Sequence, residues 1–426
     1  MGIIELFFVV VGMCGLGFWF LSVFTPLGRG PAAFHLTEPV TLSDRHFLRS
    51  LEGVSRSKFE QGGLPTTLNN GDEFFPALLA DIAAATRTIH IAVFIFRPKD
   101  PIGQEILSAL RQKSKEGVKV RLLLDSSGSG QVTGKIRREL RKSGIHVAMF
   151  RPFKFGFLTQ FDKRHHCRAF IIDGTVGYTG GMAIGQEWTG HAQDVGHWRD
   201  SMYRVTGKQA HALQRIFTTS WSNTCGEVLV GEHVYPTLPE DSTESEWLSL
   251  ISSPSLATNL LRTVYWLSCM AAQKSIELRC SYFVPDKHMR HVFIQKAREG
   301  VDVVLMLPNR NDDEKMTYHA GRFFYDQLLS AGVKIYEYQP TMIHAKSFLA
   351  DDRWSIIGSA NMDVRSQQLN DENIIGILSE AFGRQQHESF QADLKKCTEV
   401  TLDVWRKRSL HSRFLQSVCV LMGHQL

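Results

Sequence analysis

The sequence offers no cysteine pairing on which to build. Its seven cysteines, Cys14, Cys167, Cys225, Cys269, Cys280, Cys397 and Cys419, are odd in number and scattered, and no C-x-x-C pair occurs. That argues against a disulfide framework and a cysteine-bound zinc, and unpaired thiols are at home in a reducing compartment. No Lys/Arg tail or block stands out either: 48 basic and 43 acidic residues are mixed along the chain, for a formal charge of +5. Charge alone therefore implies no nucleic acid, and a weakly basic protein working on an anionic surface has the same balance. A nucleotide-type phosphate loop is also missing. Asp125-Ser126-Ser127-Gly128-Ser129-Gly130 lacks the P-loop lysine and the full G-x-G-x-x-G, and reads as a strand-to-helix loop.

One long run without charge is present, LFFVVVGMCGLGFWFLSVF at residues 6–24. A helix of that length spans roughly 28 Å, close to the hydrocarbon thickness of a bilayer. A signal peptide would want a basic flank and a shorter core, whereas only Glu5 precedes the run. A buried soluble helix is seldom apolar on every face. The run is expected to be a membrane anchor. Arg29, Arg45, Arg49, Arg56 and Lys58 follow it, so the positive-inside rule expects a single-pass protein of the inner membrane with its remaining chain cytoplasmic.

The remainder, ordinary in composition at 43% apolar, is long enough for two domains. It contains an internal repeat. TIHIAVFIF (88–96), a helix near 103–115, Glu116-Gly117-Val118 and the strand VRLLLD (120–125) form the first copy. SIELRCSYFVPD (275–286), a helix near 287–298, Glu299-Gly300-Val301 and VVLMLP (303–308) form the second, 183 residues later. Glycine suits the helix end because it accepts the left-handed conformation there. A G-[IV]-x-[IV] strand follows in each copy, at 144–147 and 332–335. Strands alternating with helices predict an α/β fold of two tandem βαβ-rich halves related by a pseudo-twofold, with a cleft on its axis. The expected divisions are an anchor at 1–28, a linker at 29–60, a first half at 61–235 and a second at 236–426.

Each half carries a histidine in a matching setting. The second reads His344-Ala345-Lys346-Ser347-Phe348-Leu349-Ala350-Asp351, then Gly358-Ser359-Ala360-Asn361. On an extended strand His344 and Lys346 share a face, Phe348 and Ala350 continue it into the core, and the returning strand brings Ser359 and Asn361 alongside. An imidazole, an ammonium, a hydroxyl and an amide at one point suit a phosphate. In the first half His166, Arg168, Asp173, Gly181 and Ala183 stand 178 residues before His344, Lys346, Asp351, Ser359 and Asn361. Each imidazole needs a carboxylate to fix its tautomer. Asp200, 34 residues after His166, and Glu372, 28 after His344, are expected to serve. By alternation Asp173 and Asp351 point away from the cleft, towards a structural part in the turn. Any one of 17 histidines is more commonly a surface or core residue, but duplication with fixed partners reverses that for these two.

Over roughly residues 66–410 the chain resembles the phospholipase D superfamily, whose mark is a duplicated H-x-K-x4-D followed by G-S/G-x-x-N. Within it the chain is most similar to bacterial cardiolipin synthases, with Gly180-Gly181-Met182, Trp198-Arg199-Asp200, Tyr282-Phe283-Val284-Pro285-Asp286 and Asp363-Val364-Arg365-Ser366 in support. The resemblance implies a reaction without metal or cofactor, through a covalent phosphohistidine. His166 is assigned as nucleophile and His344 as acid and base, following the usual assignment in the superfamily. It further implies Lys346, Arg168, Asp200, Glu372, Asp173 and Asp351 as catalytic-motif residues, and Ser359, Asn361 and Gly181 as binders of substrate phosphate. Phospholipids such as phosphatidylglycerol, at a membrane and without nucleic acid, are the expected partners; the sequence says nothing of oligomeric state. Phosphodiester hydrolysis shares the same first half-reaction. Arg168 and Ala183, the departures from the motif, leave a decayed lipid-binding protein as a further alternative.

Two segments remain outside the motif. MFRPFKFGFLTQF (149–161) interleaves Phe with Arg and Lys, as a buried strand and loop or as a lip dipping into lipid. The C-terminal run at 410–426 is expected to be an amphipathic helix packed on the domain rather than a membrane contact.

Overall fold

The computed structural model describes residues 34–152, 163–239, 242–253 and 260–421, together with Gly12, Met13 and Gly15. The apolar run at 6–24 and most of the segment at 149–161 thus lie outside the described residues. Among the described residues no helix is long and apolar enough to cross a membrane.

Seven strands form the first sheet: β1 (Thr66–Asn69), β2 (Thr88–Val93), β3 (Lys119–Asp125), β4 (His146–Phe150), β5 (Ala169–Ile172), β6 (Val176–Gly180) and β7 (Ser201–Thr206), in the order β1-β7-β6-β5-β2-β3-β4. The second is built from β8 (Ser245–Ser252), β9 (Ser275–Arg279), β10 (Asp302–Pro308), β11 (Lys334–Tyr338), β12 (Ser347–Ala350), β13 (Trp354–Gly358) and β14 (Glu372–Leu378). Its order, β8-β14-β13-β12-β9-β10-β11, is the same, with Glu60–Gly62 and Cys397–Glu399 added at the edges. In each sheet three parallel strands carry the βαβ crossovers, and the other four run antiparallel. The duplication read in the sequence is therefore a duplication of topology.

Local chemistry explains the elements. All six residues of β2 are buried, as a strand covered on both faces requires. Helices Pro101–Lys115 and Lys287–Arg298 end in basic residues, and Gly117 and Gly300 then take φ of +93° and +90° to turn the chain into β3 and β10. The 19-residue helix Gly207–Cys225 runs from the first sheet towards β8. Its Phe217 and Trp221 join Ala92, Leu123 and Ile171 of the first sheet and Ile357, Ile375 and Ile377 of the second in one buried cluster. The two halves thus share a core.

Asp173 and Asp351 sit at the hairpins that follow β5 and β12, with φ of +52° and +50°. Asp173 accepts bonds from the backbone of Thr86, Arg87 and Thr88 at 2.7–2.8 Å and from the Thr86 hydroxyl at 2.9 Å. Asp351 accepts from the backbone of Gln273, Lys274 and Ser275 at 2.7–2.9 Å. Each carboxylate clamps the chain entering the central strand. Their grouping with the catalytic motif is corrected accordingly: they lie at the strand ends remote from the histidines and bond to backbone. Burial pushes the Asp173 carboxyl up, but the donors on Thr88, Thr86 and Arg87 outweigh it and hold it below its ordinary value. This stabilisation is complete above the ordinary carboxylate range and is lost as pH falls through the depressed value. In urea denaturation at neutral pH, Asp173→Ala is expected to lose about 2–4 kcal/mol, since backbone donors are left unpaired. The difference from wild type should narrow at acidic pH; an equal difference at every pH would contradict the clamp.

Candidate active site

Both histidines lie just ahead of their strands rather than inside them. The residues before β5 and β12 do not pair within their own sheet; they pair with the other half. Two isolated parallel bridges do this, His165 with Asp371 and Arg199 with Ile343. The His166 amide donates to the Asp371 carbonyl at 2.9 Å, and the His344 amide to the Arg199 carbonyl at 2.7 Å. In each bridge the next residue on one chain is a histidine and the next on the other is an acid. The acids are therefore exchanged between halves. His166 Nδ1 is 2.7 Å from Glu372 Oε1, and His344 Nδ1 is 2.6 Å from Asp200 Oδ2. Counting each acid from the histidine of its own half finds the right residues but not the crossing.

The carboxylates are buried and need donors. Glu372 receives the Ser359 hydroxyl at 2.5 Å and the Ser366 hydroxyl at 2.7 Å. Asp200 receives the Trp188 indole N–H at 3.1 Å and the Ser201 amide at 2.8 Å. A Cβ on Gly181 would lie 2.1 Å from Asp200 Oδ1, so the first half has no room for a serine there. The expected phosphate contacts of Ser359 and Gly181 are corrected by this geometry. The Ser359 hydroxyl is committed to Glu372, and the Gly181 amide donates to the Ser201 carbonyl at 3.1 Å. Asn361 differs, for its buried Oδ1 has no protein partner. Ala183, its counterpart, is packed in the first-half core.

The cations match better than their identities imply. Lys346 Nζ donates to the His344 carbonyl and to Ser281 Oγ, both at 2.7 Å, and lies 3.2 Å from His344 Nε2. Arg168 Nη1 donates to the His166 carbonyl, the equivalent contact. Arg168 Nε is buried with no protein partner. Aromatic rings enclose the imidazoles: Phe94 lies 5.4 Å from His166, while Trp198, Trp188 and Tyr282 lie 5.3, 5.5 and 5.9 Å from His344. Only 7% of His166 and 2% of His344 is exposed, so a substrate phosphate must reach them end-on.

Burial, with Arg168, Lys346 and Arg365 nearby, holds His166 well below its ordinary value. Burial and Lys346 lower His344 to about 4 against the pull of Asp200. Glu372 is pushed up to about 7 by burial, although Ser359 and Arg168 oppose this. Lys346 is lowered to about 8, again by burial, with Asp200 opposing. At neutral pH the empty site holds two neutral imidazoles between two cations. An arriving phosphodiester anion raises the affinity of both rings for a proton. With each Nδ1 tied to a carboxylate, each Nε2 is the atom left for chemistry.

Three positions carried no usable signal. Trp188 supports Asp200 without a counterpart in the second half. Asp393, on helix Glu380–Leu394, binds both Arg199 and Arg279 at 2.8 Å, and Arg199 also holds Ser201 Oγ at 2.8 Å. Burial raises the Asp393 carboxyl, but the two guanidinium groups outweigh it and hold it low. This network fixes the backbone of residues 199–201 and with it Asp200. Only Ser366 and Arg199 stood within sequence patterns that drew notice.

Comparison with known proteins agrees with this arrangement. The family described as cardiolipin synthase, PLD-like domain, matches residues 78–221 and 268–394. A cardiolipin synthase from Halalkalibacterium halodurans is 33% identical over 358 residues, covering 84% of this chain and 71% of that protein. Cardiolipin synthase 2 from Bacillus anthracis is 35% identical over 359 residues, covering 84% and 70%. Among solved structures, a phosphatidylserine synthase from Haemophilus influenzae superposes with a TM-score of 0.68 at 15% identity, covering 89% of this chain and 99% of that one. That last likeness is one of fold. With both family segments matched and both histidine–acid pairs formed, the chain belongs to the PLD-like cardiolipin synthase family.

Proposed function

We propose that the protein is a phosphatidyltransferase of the cardiolipin synthase type, moving a phosphatidyl group onto the hydroxyl of a second phospholipid such as phosphatidylglycerol. The observation that carries this reading is the crossed pair of imidazole–carboxylate contacts, at 2.7 and 2.6 Å, with the two Nε2 atoms left for one phosphate. His166 Nε2 attacks phosphorus, the bond to the leaving alcohol oxygen breaks, and His344 gives that oxygen a proton. The acceptor hydroxyl then loses its proton to His344 and attacks the phosphohistidine, which frees His166. Arg168, Lys346 and the Asn361 amide neutralise the phosphoryl oxygens. Both histidine–acid pairs are complete, which speaks against a decayed site. The apolar run at 6–24 anchors the chain in the inner membrane, with the catalytic part on the cytoplasmic side.

Vesicles containing phosphatidylglycerol should yield a diphosphatidyl lipid and free glycerol. His166→Ala or His344→Ala should lower that rate by about a thousandfold or more. Phosphatidic acid as the main product would assign hydrolysis, and undiminished synthesis by either variant would reject the site.

The reading also fixes an alkaline limb. Lys346 binds the anion only when charged, so kcat/KM should fall as pH rises through about 8. Lys346→Arg, which stays charged, should remove that limb while lowering the plateau. A limb unchanged in Lys346→Arg would show that another group titrates there.

A further inference from the structure

The C-terminal helix Leu410–Leu421 packs on the domain by one narrow face. Cys419 is buried there with Val284 and Ala320, flanked by Leu415 and Phe324, and Gln416 is buried beside them. The opposite face is apolar but uncovered among the described residues. Leu410 is 81% exposed, Phe414 68%, Val418 44% and Leu421 62%. At 3.6 residues per turn these four side chains fall within a sector of about 80°. Single exposed apolar residues are ordinary, whereas an aligned row marks a binding surface.

Charge identifies what the row faces. Arg413 and His411 border it, and Arg406-Lys407-Arg408 immediately precede the helix, against Asp403 as the one acid in residues 402–421. An apolar stripe edged by cations is the pattern of a helix lying in an anionic lipid interface. Its position gives the contact a purpose. The helix rests on Lys315–Arg322 and on the strand Phe283–Val284, which pairs with Met362–Asp363, the residues directly after Asn361. Tyr282, next along the chain from Phe283, faces the His344 ring and donates its hydroxyl to Asp313 at 2.9 Å. The foundation of the helix is thus the wall of the catalytic site.

We propose that the helix Leu410–Leu421 lies in the headgroup layer of an anionic bilayer, its row Leu410, Phe414, Val418 and Leu421 inserted, and holds the catalytic mouth against the membrane surface. The contact does not depend on the reaction being a phosphatidyl transfer. It can be read in the full chain carrying Cys225→Ser and His344→Ala, with a fluorophore on Ser417→Cys, reconstituted in vesicles of phosphatidylcholine with and without phosphatidylglycerol. Spin-labelled lipids should quench the fluorophore when phosphatidylglycerol is present, and much less without it. The combined change Leu410→Gln, Phe414→Gln and Val418→Gln should abolish quenching. In the chain with His344 intact it should raise KM on vesicles about tenfold or more, leaving turnover of monomeric dihexanoyl phosphatidylglycerol unchanged. Absence of quenching in the anionic vesicles would overturn the proposal. So would protection of the fluorophore that depends on protein concentration rather than lipid, which would make the row a contact with a second copy or with the apolar segment at 6–24.

Discussion

Two backbone bridges, each a single residue pair, hold this active site together. His165 with Asp371 and Arg199 with Ile343 are the points where the duplicated halves exchange strand pairing, and each delivers an acid to the other half's histidine. Neither half alone contains an oriented imidazole. The shared apolar core keeps the halves in register, because Ile357, Ile375 and Ile377 pack with Ala92 and Ile171 immediately behind the site. A sub-ångström slip in that core would lengthen the contacts at 2.6 and 2.7 Å. Packing here is therefore a condition for catalysis as well as for stability.

The pseudo-symmetry is broken in the support of the carboxylates more than at the histidines. Glu372 is held by two hydroxyls and Asp200 by an indole and an amide. Hydroxyls can rotate and exchange their protons; an indole N–H can only donate. The shorter aspartate is fitted by glycine at 181 and by the bulk of Trp188, so the apparent loss of a motif serine is a rebuilt contact. Arg168 likewise keeps the carbonyl contact made by Lys346. Within the motif, Ala183 is the exchange for which the structure offers no substitute donor.

Much of this was legible in the sequence because duplication repeats local signals. The helix expected near 287–298 is found at Lys287–Arg298, framed by the Asp286 cap and Gly300. The strand expected to carry His344 begins only at Ser347, since the residues before it pair across the halves. Periodicity reports which face a residue occupies but not which distant segment it meets. The crossing of Asp200 and Glu372 was hidden for that reason, as was the Asp393 network. Ser359 was misread because a hydroxyl near a histidine suits a phosphate and a carboxylate equally. For the C-terminal helix, packing on the domain accounts for Gln416 and Cys419, whereas its outer row answers to a different partner.

The central claim is that one phosphate is handed to His166 while its imidazole is oriented by the other half's Glu372. Acid quenching of a single turnover with short-chain phosphatidylglycerol, followed by mass spectrometry of the peptides, tests it most directly. The account expects a phosphatidyl adduct on His166, formed more slowly in Glu372→Gln. An adduct on His344, or one on His166 whose rate ignores Glu372, would contradict it.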